Sequence, residues 1–170
     1  MGKHHTEFVG KIFFGIVVTS DKIYQGRATD EIVPLVEEII SKNGYEILTA
    51  CIVPNDSDKI KEALSKAVKE GCHVVVVTGG TGLSSRDISV DVIEKEAWRS
   101  IPGFGELFRL LTFKEKGTVA WLSRASAFIV KADERKSLVF ITPGNPQAVK
   151  MALEKIILPE VRHAVAELLR

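Results

Sequence analysis

A glycine-rich turn followed by two charged residues is the part of the sequence best suited to chemistry. Residues 74–87 read VVVVTGGTGLSSRD, so four valines lead directly into the turn. Glycine permits positive φ and a close approach of a ligand to the backbone. Consecutive backbone N–H groups can then form an anion-binding nest, supported by the N-terminus of the next helix. We therefore predict an anion site here, the alternative being a tight turn without a ligand. The predicted contacts are Gly79, Gly80, Thr81, Gly82 and Ser84.

Neither of the two common nucleotide-binding glycine motifs matches this turn. A Walker A loop requires Gly-Lys-Ser/Thr, and the turn contains no lysine. A dinucleotide-binding fingerprint would read Gly-x-Gly-x-x-Gly, whereas the sixth position here is Ser85. The glycines alone therefore do not identify the anion.

Asp87 is the predicted metal ligand of this site. It comes five residues after Gly82, where a carboxylate would repel a phosphate unless a cation lay between them. Mg²⁺ coordinated by phosphate oxygens is the natural bridge, because it prefers oxygen ligands. The alternative is that Asp87 caps backbone groups of its own loop. Asp91 is interpreted as an acid that complements the macrodipole of the next helix.

Three other predicted strands end in polar, turn-rich loops. These loops read TSD at 19–21, PND at 54–56 and TPGNP at 142–146. In a parallel sheet the carboxyl ends of the strands share one edge, and ligands of open α/β sheets bind just outside it. We therefore expect these loops and the glycine turn to meet around one ligand. The predicted site residues in these loops are Ser20, Asp21, Asp56, Pro143, Gly144, Asn145 and Pro146.

Several of these polar residues have a structural alternative. Ser20 and Asp21 could cap a helix instead of contacting a ligand, and Asp56 could be an ordinary acid at a helix start. Arg86 and Arg124 could hold anions or could be solvated at the surface. The sequence leaves these alternatives open.

The predicted order of strands and helices explains why these loops share an edge. The apolar run at residues 12–18 is typical of a central parallel strand buried on both faces. Residues 30–42 have apolar side chains at helical spacing, and a second helix is predicted from Ser57 to about Glu70. The strands YEILTACIV and HVVVVT follow these two helices. The βαβαβ order predicts a three-layer α/β/α sandwich with right-handed crossovers and a mostly parallel sheet.

The second half of the chain is predicted to hold further helices and two strands. Ser89 is the expected N-cap of the first helix, and Pro159 is expected to kink or break the last one. The predicted elements are a helix over 89–98, strands over 126–131 and 138–142, and a helix from about Gln147 to Leu169.

The segment IPGFGELFRLLTF is predicted to form a short helix that is apolar around most of its circumference. Such a helix must be buried on more than one side, either by the core of the same chain or by another subunit. The side chains concerned are Phe104, Leu107, Phe108, Leu110, Leu111 and Phe113.

Length and composition favour one globular domain. The chain has 170 residues, of which 45% are hydrophobic and 26% are charged, with a formal net charge of +1. This charge implies no strong attraction to nucleic acid or to an anionic membrane. No apolar run approaches the ~20 residues of a membrane span. We expect a flexible segment at residues 1–10, without a signal-peptide pattern, and a single domain at 11–170.

The cysteines and histidines predict neither a disulfide nor a metal site. Cys51 and Cys72 each adjoin a strand-like run and are expected to be free thiols in a reducing cytoplasm. His4 and His5 are expected to be mobile surface residues, because they lack spaced partners for a metal site.

Five motifs together resemble the MogA/MoaB family of molybdenum cofactor biosynthesis. The resemblance covers nearly the whole chain from about residue 11 onward, and the order of the motifs is highly specific. The motifs are TSD at 19–21, GGTG at 79–82 with Arg86-Asp87, PGFGELFR at 102–109, LSR at 122–124 and PGNP at 143–146.

The resemblance implies a molybdopterin-binding α/β domain that adenylylates molybdopterin. In that reaction the terminal phosphate of the pterin attacks the α-phosphorus of Mg-ATP and releases pyrophosphate. By motif position, Asp87 matches a catalytic acid of the family, and Ser123 and Arg124 join the predicted binding residues. The second family acid lies in a "PDD" or "PDE" segment, which here reads Pro54-Asn55-Asp56. Either Asp56 takes this catalytic role, or the role is weakened.

The resemblance also implies partners and leaves a competing function open. A homotrimer or a hexamer is expected, with the molybdate-insertion protein as a further partner. The competing function is a non-catalytic molybdopterin-binding or carrier protein of the MoaB type, since position 55 carries an amide. A weaker alternative is an interaction module that uses the same fold as a scaffold.

Overall fold

The computed structural model describes residues 6–170, and within this range one six-stranded sheet organises the chain. The last two helices are joined by a π-helical turn, Leu153–Ile157, and a 3₁₀ segment, Gly117–Leu122, precedes the fifth strand. The strands are β1 (Phe13–Thr19), β2 (Glu46–Val53), β3 (Val74–Thr78), β4 (Ala97–Ser100), β5 (Ser126–Ala132) and β6 (Arg135–Thr142). The helices are α1 (Asp21–Tyr24), α2 (Ile32–Lys42), α3 (Ser57–Glu70), α4 (Ser89–Glu96), α5 (Pro102–Lys116), α6 (Pro146–Ala152) and α7 (Leu158–Leu168).

Four neighbouring strands of this sheet run parallel. The order across the sheet is β2-β1-β3-β6-β5-β4. β1 pairs in parallel with β2 and β3, and β3 pairs in parallel with β6. β5 and β4 complete one side as antiparallel strands. The prediction of a mostly parallel sheet is therefore confirmed.

Helices cover both faces of the sheet. Side chains alternate between the faces along each strand, so Val74 and Val76 pack against α2, α5, α6 and α7. Val75 and Val77 point to the other face and pack with α3 and α4. Every residue of β3 is buried, as expected for a central strand with helices on both sides. The three-layer α/β/α sandwich is confirmed.

Short polar and glycine signals set the ends of the helices that border the sheet edge. The carboxylate of Asp56 caps α3, and Gly71 ends that helix in the left-handed region at φ 99°. Asn145 caps α6, and Pro146 occupies its first turn, where a missing N–H is tolerated. The residues after β2 and β6 therefore turn sharply into helices at the same edge.

Two predictions for the stretch after the glycine turn are wrong. The helix predicted over 89–98 ends at Glu96, and Ala97–Ser100 forms β4 instead. β4 pairs with β5, so pairing at the sheet edge outweighs the local helical pattern. Ser89 is not the N-cap either, because Ile88 holds that position and the hydroxyl of Ser89 is buried.

The last helix is interrupted close to the predicted position. The π-helical turn precedes α7, and Pro159 lies in the first turn of α7. Because proline lacks an N–H and cannot join a regular i→i−4 ladder, a change of hydrogen-bond register before it is expected.

The helix predicted in IPGFGELFRLLTF is α5, and the chain buries only part of its apolar surface. Phe104 and Phe108 lie in the core. Leu107, Leu110 and Phe113 are 50%, 47% and 54% exposed. The exposed large apolar side chains of α5 and the 3₁₀ segment are called the apolar face below. They are Leu107, Leu110, Phe113, Val119, Trp121 and Leu122.

The remaining sequence predictions concern the N-terminus and the cysteines. His4 and His5 lie outside the described residues. Phe8, within the predicted flexible segment, donates its N–H to the carbonyl of Arg162 at 3.1 Å. Cys51 and Cys72 are free, and burial raises the pKa of the Cys72 thiol to about 11. Between residues 6 and 170 no helix is long and apolar enough to cross a membrane.

Candidate functional site

The strand ends that carry the predicted site residues lie side by side. In the parallel pairings Val53 aligns with Thr19, Val18 with Thr78, and Thr78 with Thr142. The loops after β1, β2, β3 and β6 therefore leave the sheet at one edge. The expectation that these loops meet is confirmed for the backbone of the described chain.

The glycine loop, residues 79–87, requires glycine at its first two positions. Gly79 and Gly80 have φ of 95° and 70°, a region that side chains disfavour. A Cβ on Gly79 would lie 2.3 Å from the carbonyl oxygen of Thr19, and one on Gly80 would lie 2.3 Å from Oγ of Ser89. The loop is thus pressed onto β1 and α4, and only glycine fits.

A small group of buried hydroxyls, which the sequence did not reveal, supports the glycine loop. Oγ1 of Thr19 donates to the carbonyl of Thr78 at 3.0 Å and lies 3.1 Å from Oγ of Ser89. Each of these residues is at most 4% exposed. The contacts of this group join segments that are far apart in the chain. In the sequence, therefore, only the residue types, serine and threonine, could have indicated it.

Several amides of the glycine loop have no acceptor in the part of the chain that the structure describes. The N–H of Gly79 donates to the carbonyl of Thr142 at 2.8 Å. Among residues 6–170, the N–H groups of Gly80, Thr81, Gly82 and Leu83 donate to no acceptor. Consecutive free N–H groups beside a pair of positive-φ glycines are the features expected of an anion-binding nest. The ligand contacts of this loop remain predictions.

The PGNP loop lies directly against the glycine loop. A Cβ on Gly144 would be 3.2 Å from Cα of Gly79. Oδ1 of Asn145 accepts the N–H of Ala148 at 2.9 Å, so this side chain caps α6. Pro143 and Asn145 also border a cavity of about 80 Å³ that reaches Phe108 on α5. The structure therefore brings Pro143, Gly144, Asn145 and Pro146 to the glycine loop.

Asp87 combines a structural contact with a free oxygen. Its Oδ2 accepts the N–H of Ser84 at 3.0 Å, and the hydroxyl of Ser84 accepts the N–H of Arg86 at 3.3 Å. Ser84 therefore braces the turn with both its N–H and its hydroxyl. Oδ1 of Asp87 accepts no hydrogen bond within residues 6–170. The alternative in which Asp87 caps its own loop thus applies to only one of its two oxygens.

Asp21 connects three loops of the site. Its Oδ1 accepts the backbone N–H of Asn55 at 2.9 Å, and its Oδ2 accepts from Nε of Arg86 at 3.2 Å. The hydrogen bond from Arg86, followed by that from Asn55, holds the pKa of Asp21 below its usual range. Asp21 therefore stays ionised and ties the β1, β2 and glycine loops together. Ser20 caps α1 by accepting the N–H of Ile23 at 3.2 Å.

The two candidates for the second acid position have different environments. Oδ1 of Asp56 accepts the N–H of Lys59 at 3.0 Å, and this exposed side chain is the N-cap of α3. Asn55 is half-buried, and its Oδ1 is buried without a hydrogen-bond partner among the described residues. An unpaired buried acceptor is destabilising unless a ligand or water satisfies it. Position 55 is therefore the more enclosed of the two, and it carries an amide.

Arg124 is held by the protein at most of its donor positions. Its Nε donates to the carbonyl of Gly82 at 2.9 Å, and its Nη2 donates to the carbonyl of Asp87 at 2.6 Å. Nη1 and Nη2 each donate to one carboxylate oxygen of Asp91 at 3.0 Å. Since a guanidinium has five N–H donors, little capacity remains for an anion.

Asp91 was expected mainly to complement the macrodipole of α4, and the structure gives it a further contact. The hydrogen bond from Arg124 holds the pKa of Asp91 below its usual range. The fork-to-fork pairing fixes the plane of the guanidinium. Asp91 is thus coupled to the glycine loop through Arg124.

Arg109 is a site-adjacent residue to which the sequence reading assigned no role. Its Nη1 donates to the carbonyls of Ser123 and Ala125 at 3.2 and 2.8 Å. The hydroxyl of Ser123 accepts the N–H of Ala125 at 3.3 Å. The PGFGELFR motif was the available signal, but the partners of its arginine lie 14 and 16 residues away.

The chain itself provides few metal ligands at this edge. Within the described residues there is no group of three or more His, Cys, Asp or Glu side chains that could hold a metal ion. The carboxylates of Asp21 and Asp91 are each engaged by an arginine. A divalent cation here would therefore take most of its ligands from a bound phosphate compound, with Asp87 as the carboxylate of the glycine loop.

The chain is similar to known proteins in both sequence and fold. A family model described as a probable molybdopterin binding domain matches residues 15–163. A molybdopterin adenylyltransferase of Pyrococcus furiosus is 41% identical over 162 residues, covering 95% of this chain and 94% of that protein. Molybdenum cofactor biosynthesis protein B of Staphylococcus carnosus is 39% identical over 143 residues, covering 82% of each. The crystal structure of a tungsten cofactor synthesizing protein from Pyrococcus furiosus superposes with a TM-score of 0.87 at 39% identity, covering 94% of this chain and 98% of that one.

Proposed function

The chain belongs to the family of probable molybdopterin-binding domains, and we propose that it transfers the adenylyl group of ATP to molybdopterin. Its relatives indicate a role in molybdenum cofactor biosynthesis as a MoaB-type protein. The proposed adenylyl transfer is supported by a relative named as a molybdopterin adenylyltransferase, which is 41% identical to this chain.

The proposed reaction is a nucleotidyl transfer. An oxygen of the terminal phosphate of molybdopterin attacks the α-phosphorus of ATP and forms a new P–O bond. The bond between the α-phosphorus and the oxygen bridging to the β-phosphorus breaks, and pyrophosphate leaves with its electron pair. No general base is required, because a phosphate nucleophile is already ionised at neutral pH. The protein contributes mainly positioning and stabilisation of charge.

The observation that carries this proposal is the set of glycine-loop amides beside Oδ1 of Asp87, none of which forms a hydrogen bond within residues 6–170. The N–H groups of Gly80, Thr81 and Gly82 would hold phosphate oxygens as the charge shifts toward the leaving group. Mg²⁺ bound with ATP would neutralise phosphate charge, and Asp87 is the residue that would hold it. The same carboxylate is the proposed catalytic acid of the family motif.

One incubation tests this function. The protein is mixed with molybdopterin, ATP and Mg²⁺, and adenylylated pterin and pyrophosphate are quantified over time. We expect the two products to appear in equal amounts and only when all three components are present. Nucleotide binding without any adenylylated pterin would contradict the proposal.

A non-catalytic carrier of molybdopterin is the second candidate function. It is favoured by Asn55, which replaces the first acid of the family segment, and by Asp56, whose carboxylate caps α3. Pterin binding without nucleotide binding would support it. Turnover in Asn55→Asp, together with its absence in the natural protein, would show that position 55 limits catalysis.

We further propose that the protein assembles as a homotrimer or a hexamer through the apolar face. The support is the exposure of Leu107, Leu110 and Phe113 on one helix, since a monomer gains nothing from leaving such side chains in water. The molybdate-insertion protein is proposed as a further partner. A cytoplasmic location is proposed because the free cysteines suit a reducing compartment.

A further inference from the structure

Arg124 supports the glycine loop by donating hydrogen bonds to three of its carbonyl groups. Its backbone N–H donates to the carbonyl of Thr81 at 2.9 Å. Its Nε donates to the carbonyl of Gly82 at 2.9 Å, and its Nη2 donates to the carbonyl of Asp87 at 2.6 Å. One residue on a separate segment therefore fixes the carbonyl direction at three places in the loop.

Because a trans peptide is planar, a hydrogen bond that fixes the direction of a carbonyl group also fixes the direction of the next N–H group. In a planar trans peptide the C=O of one residue and the N–H of the next point in opposite directions, and no described peptide bond is cis. Because the carbonyls of Thr81 and Gly82 point toward Arg124, the N–H groups of Gly82 and Leu83 point away from it. These are N–H groups that no acceptor within residues 6–170 uses.

We propose that Arg124 is a positioning residue: its backbone N–H orients the amide of Gly82, and its guanidinium orients the amide of Leu83, toward the phosphates of ATP. This inference rests on the proposed function, because that function supplies the phosphates. It differs from the role predicted from the sequence, in which the guanidinium of Arg124 itself binds the anion. In this arrangement the cation acts on the loop, and the loop binds the phosphate.

Asp91 fixes the plane of the Arg124 guanidinium while it binds the glycine loop. Each of its carboxylate oxygens accepts one hydrogen bond from the guanidinium at 3.0 Å. A planar fork paired in this bidentate way cannot rotate without breaking both bonds. A lysine at position 124 would keep the charge but could not reproduce the fork.

Arg109 holds the backbone on both sides of Arg124. Its Nη1 binds the carbonyls of Ser123 and Ala125, the two residues that flank Arg124. Gly105 makes room for this contact, because a Cβ there would lie 2.5 Å from Nη2 of Arg109 and 2.7 Å from the carbonyl oxygen of Ala125. Arg109 is therefore a second positioning residue, which acts through Arg124.

The test uses magnesium pyrophosphate as the probe and the full chain as the protein. Its dissociation constant is measured by titration calorimetry for the natural protein, Arg124→Lys, Asp91→Asn and the control Asp58→Asn. Asp58 lies exposed in the first turn of α3. We expect Arg124→Lys to bind pyrophosphate about 10- to 10²-fold more weakly, because losing one hydrogen bond to a charged ligand costs about that factor. Molybdopterin affinity should change much less.

A purely structural role of Arg124 makes a different prediction. It would lower the unfolding temperature and leave the affinity of the folded protein unchanged. Natural affinity for pyrophosphate in folded Arg124→Lys would therefore overturn the proposal, as would a natural protein that does not bind pyrophosphate. If the natural protein binds pyrophosphate but forms no adenylylated pterin, the proposed function fails, and the binding comparison still decides the role of Arg124.

Asp91→Asn keeps the test decisive if Arg124→Lys does not fold. It leaves Arg124 in place and removes the charge that fixes its plane, so a weaker loss of pyrophosphate affinity is expected. In the double variant Asp91→Asn/Arg124→Lys the loss of pyrophosphate affinity should match that of Arg124→Lys alone, because both changes remove the same support of the glycine loop. Natural affinity in Asp91→Asn, or losses that add fully in the double variant, would contradict the support proposed here.

Discussion

Oδ2 of Asp87 accepts a hydrogen bond from the backbone N–H of Ser84 at 3.0 Å, and Oδ1 forms no hydrogen bond within residues 6–170. One oxygen thus fixes the turn while the other stays available for a cation. An asparagine can still accept the N–H of Ser84 through its amide oxygen, so the loop can keep its shape when the charge is removed.

Asp87→Asn is therefore expected to reduce turnover while the fold survives. The change removes the negative charge proposed to hold Mg²⁺ against the phosphates. Loss of one preorganised electrostatic group lowers kcat by about 10²–10³-fold. Single-turnover adenylylation at saturating Mg-ATP measures this loss, and a denaturation curve checks the fold. The matched control is Asp58→Asn, which also removes an acid near a helix start but belongs to α3 and not to the glycine loop. Natural turnover in Asp87→Asn would show that the metal-holding carboxylate has been placed wrongly.

Gly82→Ala tests the same carboxylate without straining the backbone. Gly82 does not have a positive φ, so the main chain can accept alanine. Its Cβ would lie 2.7 Å from Oδ2 of Asp87, and the carboxylate would have to move. We expect lower turnover with little loss of stability.

Gly80→Val should behave differently and lose stability as well, because φ is 70° and the new Cβ would lie 2.3 Å from Oγ of Ser89. Urea denaturation measures the stability of both variants, and equal losses in the two would contradict this distinction.

Asp56→Ala separates the capping role of this acid from its predicted catalytic role. Removing the N-cap of α3 should lower the free energy of unfolding by about 1 kcal/mol. We expect turnover to fall much less than in Asp87→Asn, since Asp56 is exposed at the start of α3 and lies outside the glycine loop. A loss of turnover as large as that of Asp87→Asn would instead establish Asp56 as the second catalytic acid.

The double variant Leu110→Glu/Phe113→Glu is expected to dissociate the proposed assembly. Both side chains are about half exposed on α5, and a buried, unpaired carboxylate at a subunit contact would be strongly unfavourable. Sedimentation velocity at micromolar concentration should show a monomer for the variant and a trimer or hexamer for the natural protein. Lys114→Glu, an exposed change of charge on the same helix, is the control. A natural protein that sediments as a monomer would refute the assembly.

The stability of the fold is expected to decrease when the pH falls below about 6.5, in part because of His73. Its Nδ1 accepts the N–H of Phe13 at 3.1 Å, which requires a neutral ring. Burial, followed by the charge of Arg135, lowers the pKa of His73 below its ordinary value of 6.5. The unfolded chain therefore binds this proton at a higher pH than the folded chain does. Stability is thus retained above the unfolded pKa and declines as the pH falls toward the folded pKa.

His73→Gln isolates this contribution, because glutamine does not titrate. Urea unfolding at about pH 7.5 and pH 5.5 should show a smaller difference in stability for the variant than for the natural protein. Other titrating groups are shared by both proteins and cancel in the comparison. Equal pH dependence in the two would show that protonation of His73 does not oppose folding.

The sequence alone was sufficient to predict the mostly parallel α/β/α sandwich and the shared sheet edge at which the candidate loops meet. The apolar runs of β1 and β3 and the turn residues that follow them are local signals, and parallel strands then place their carboxyl ends at one edge. The glycine loop was predicted for the same reason, because φ at Gly79 and Gly80 is a property of single residues. The catalytic and ligand roles of these residues stay predictions until the experiments above are done.

Only the tertiary structure showed which charged and hydroxyl side chains near the candidate site contact one another. Arg124 and Asp91 are 33 residues apart in the chain, and Arg86 and Asp21 are 65 apart. Sequence spacing within one element cannot predict such pairs, because they depend on how separate elements pack. The same holds for β4, where pairing with β5 overrode a local helical pattern. Local backbone preferences are encoded residue by residue, whereas the partner of a charged or hydroxyl side chain is determined only when distant segments meet.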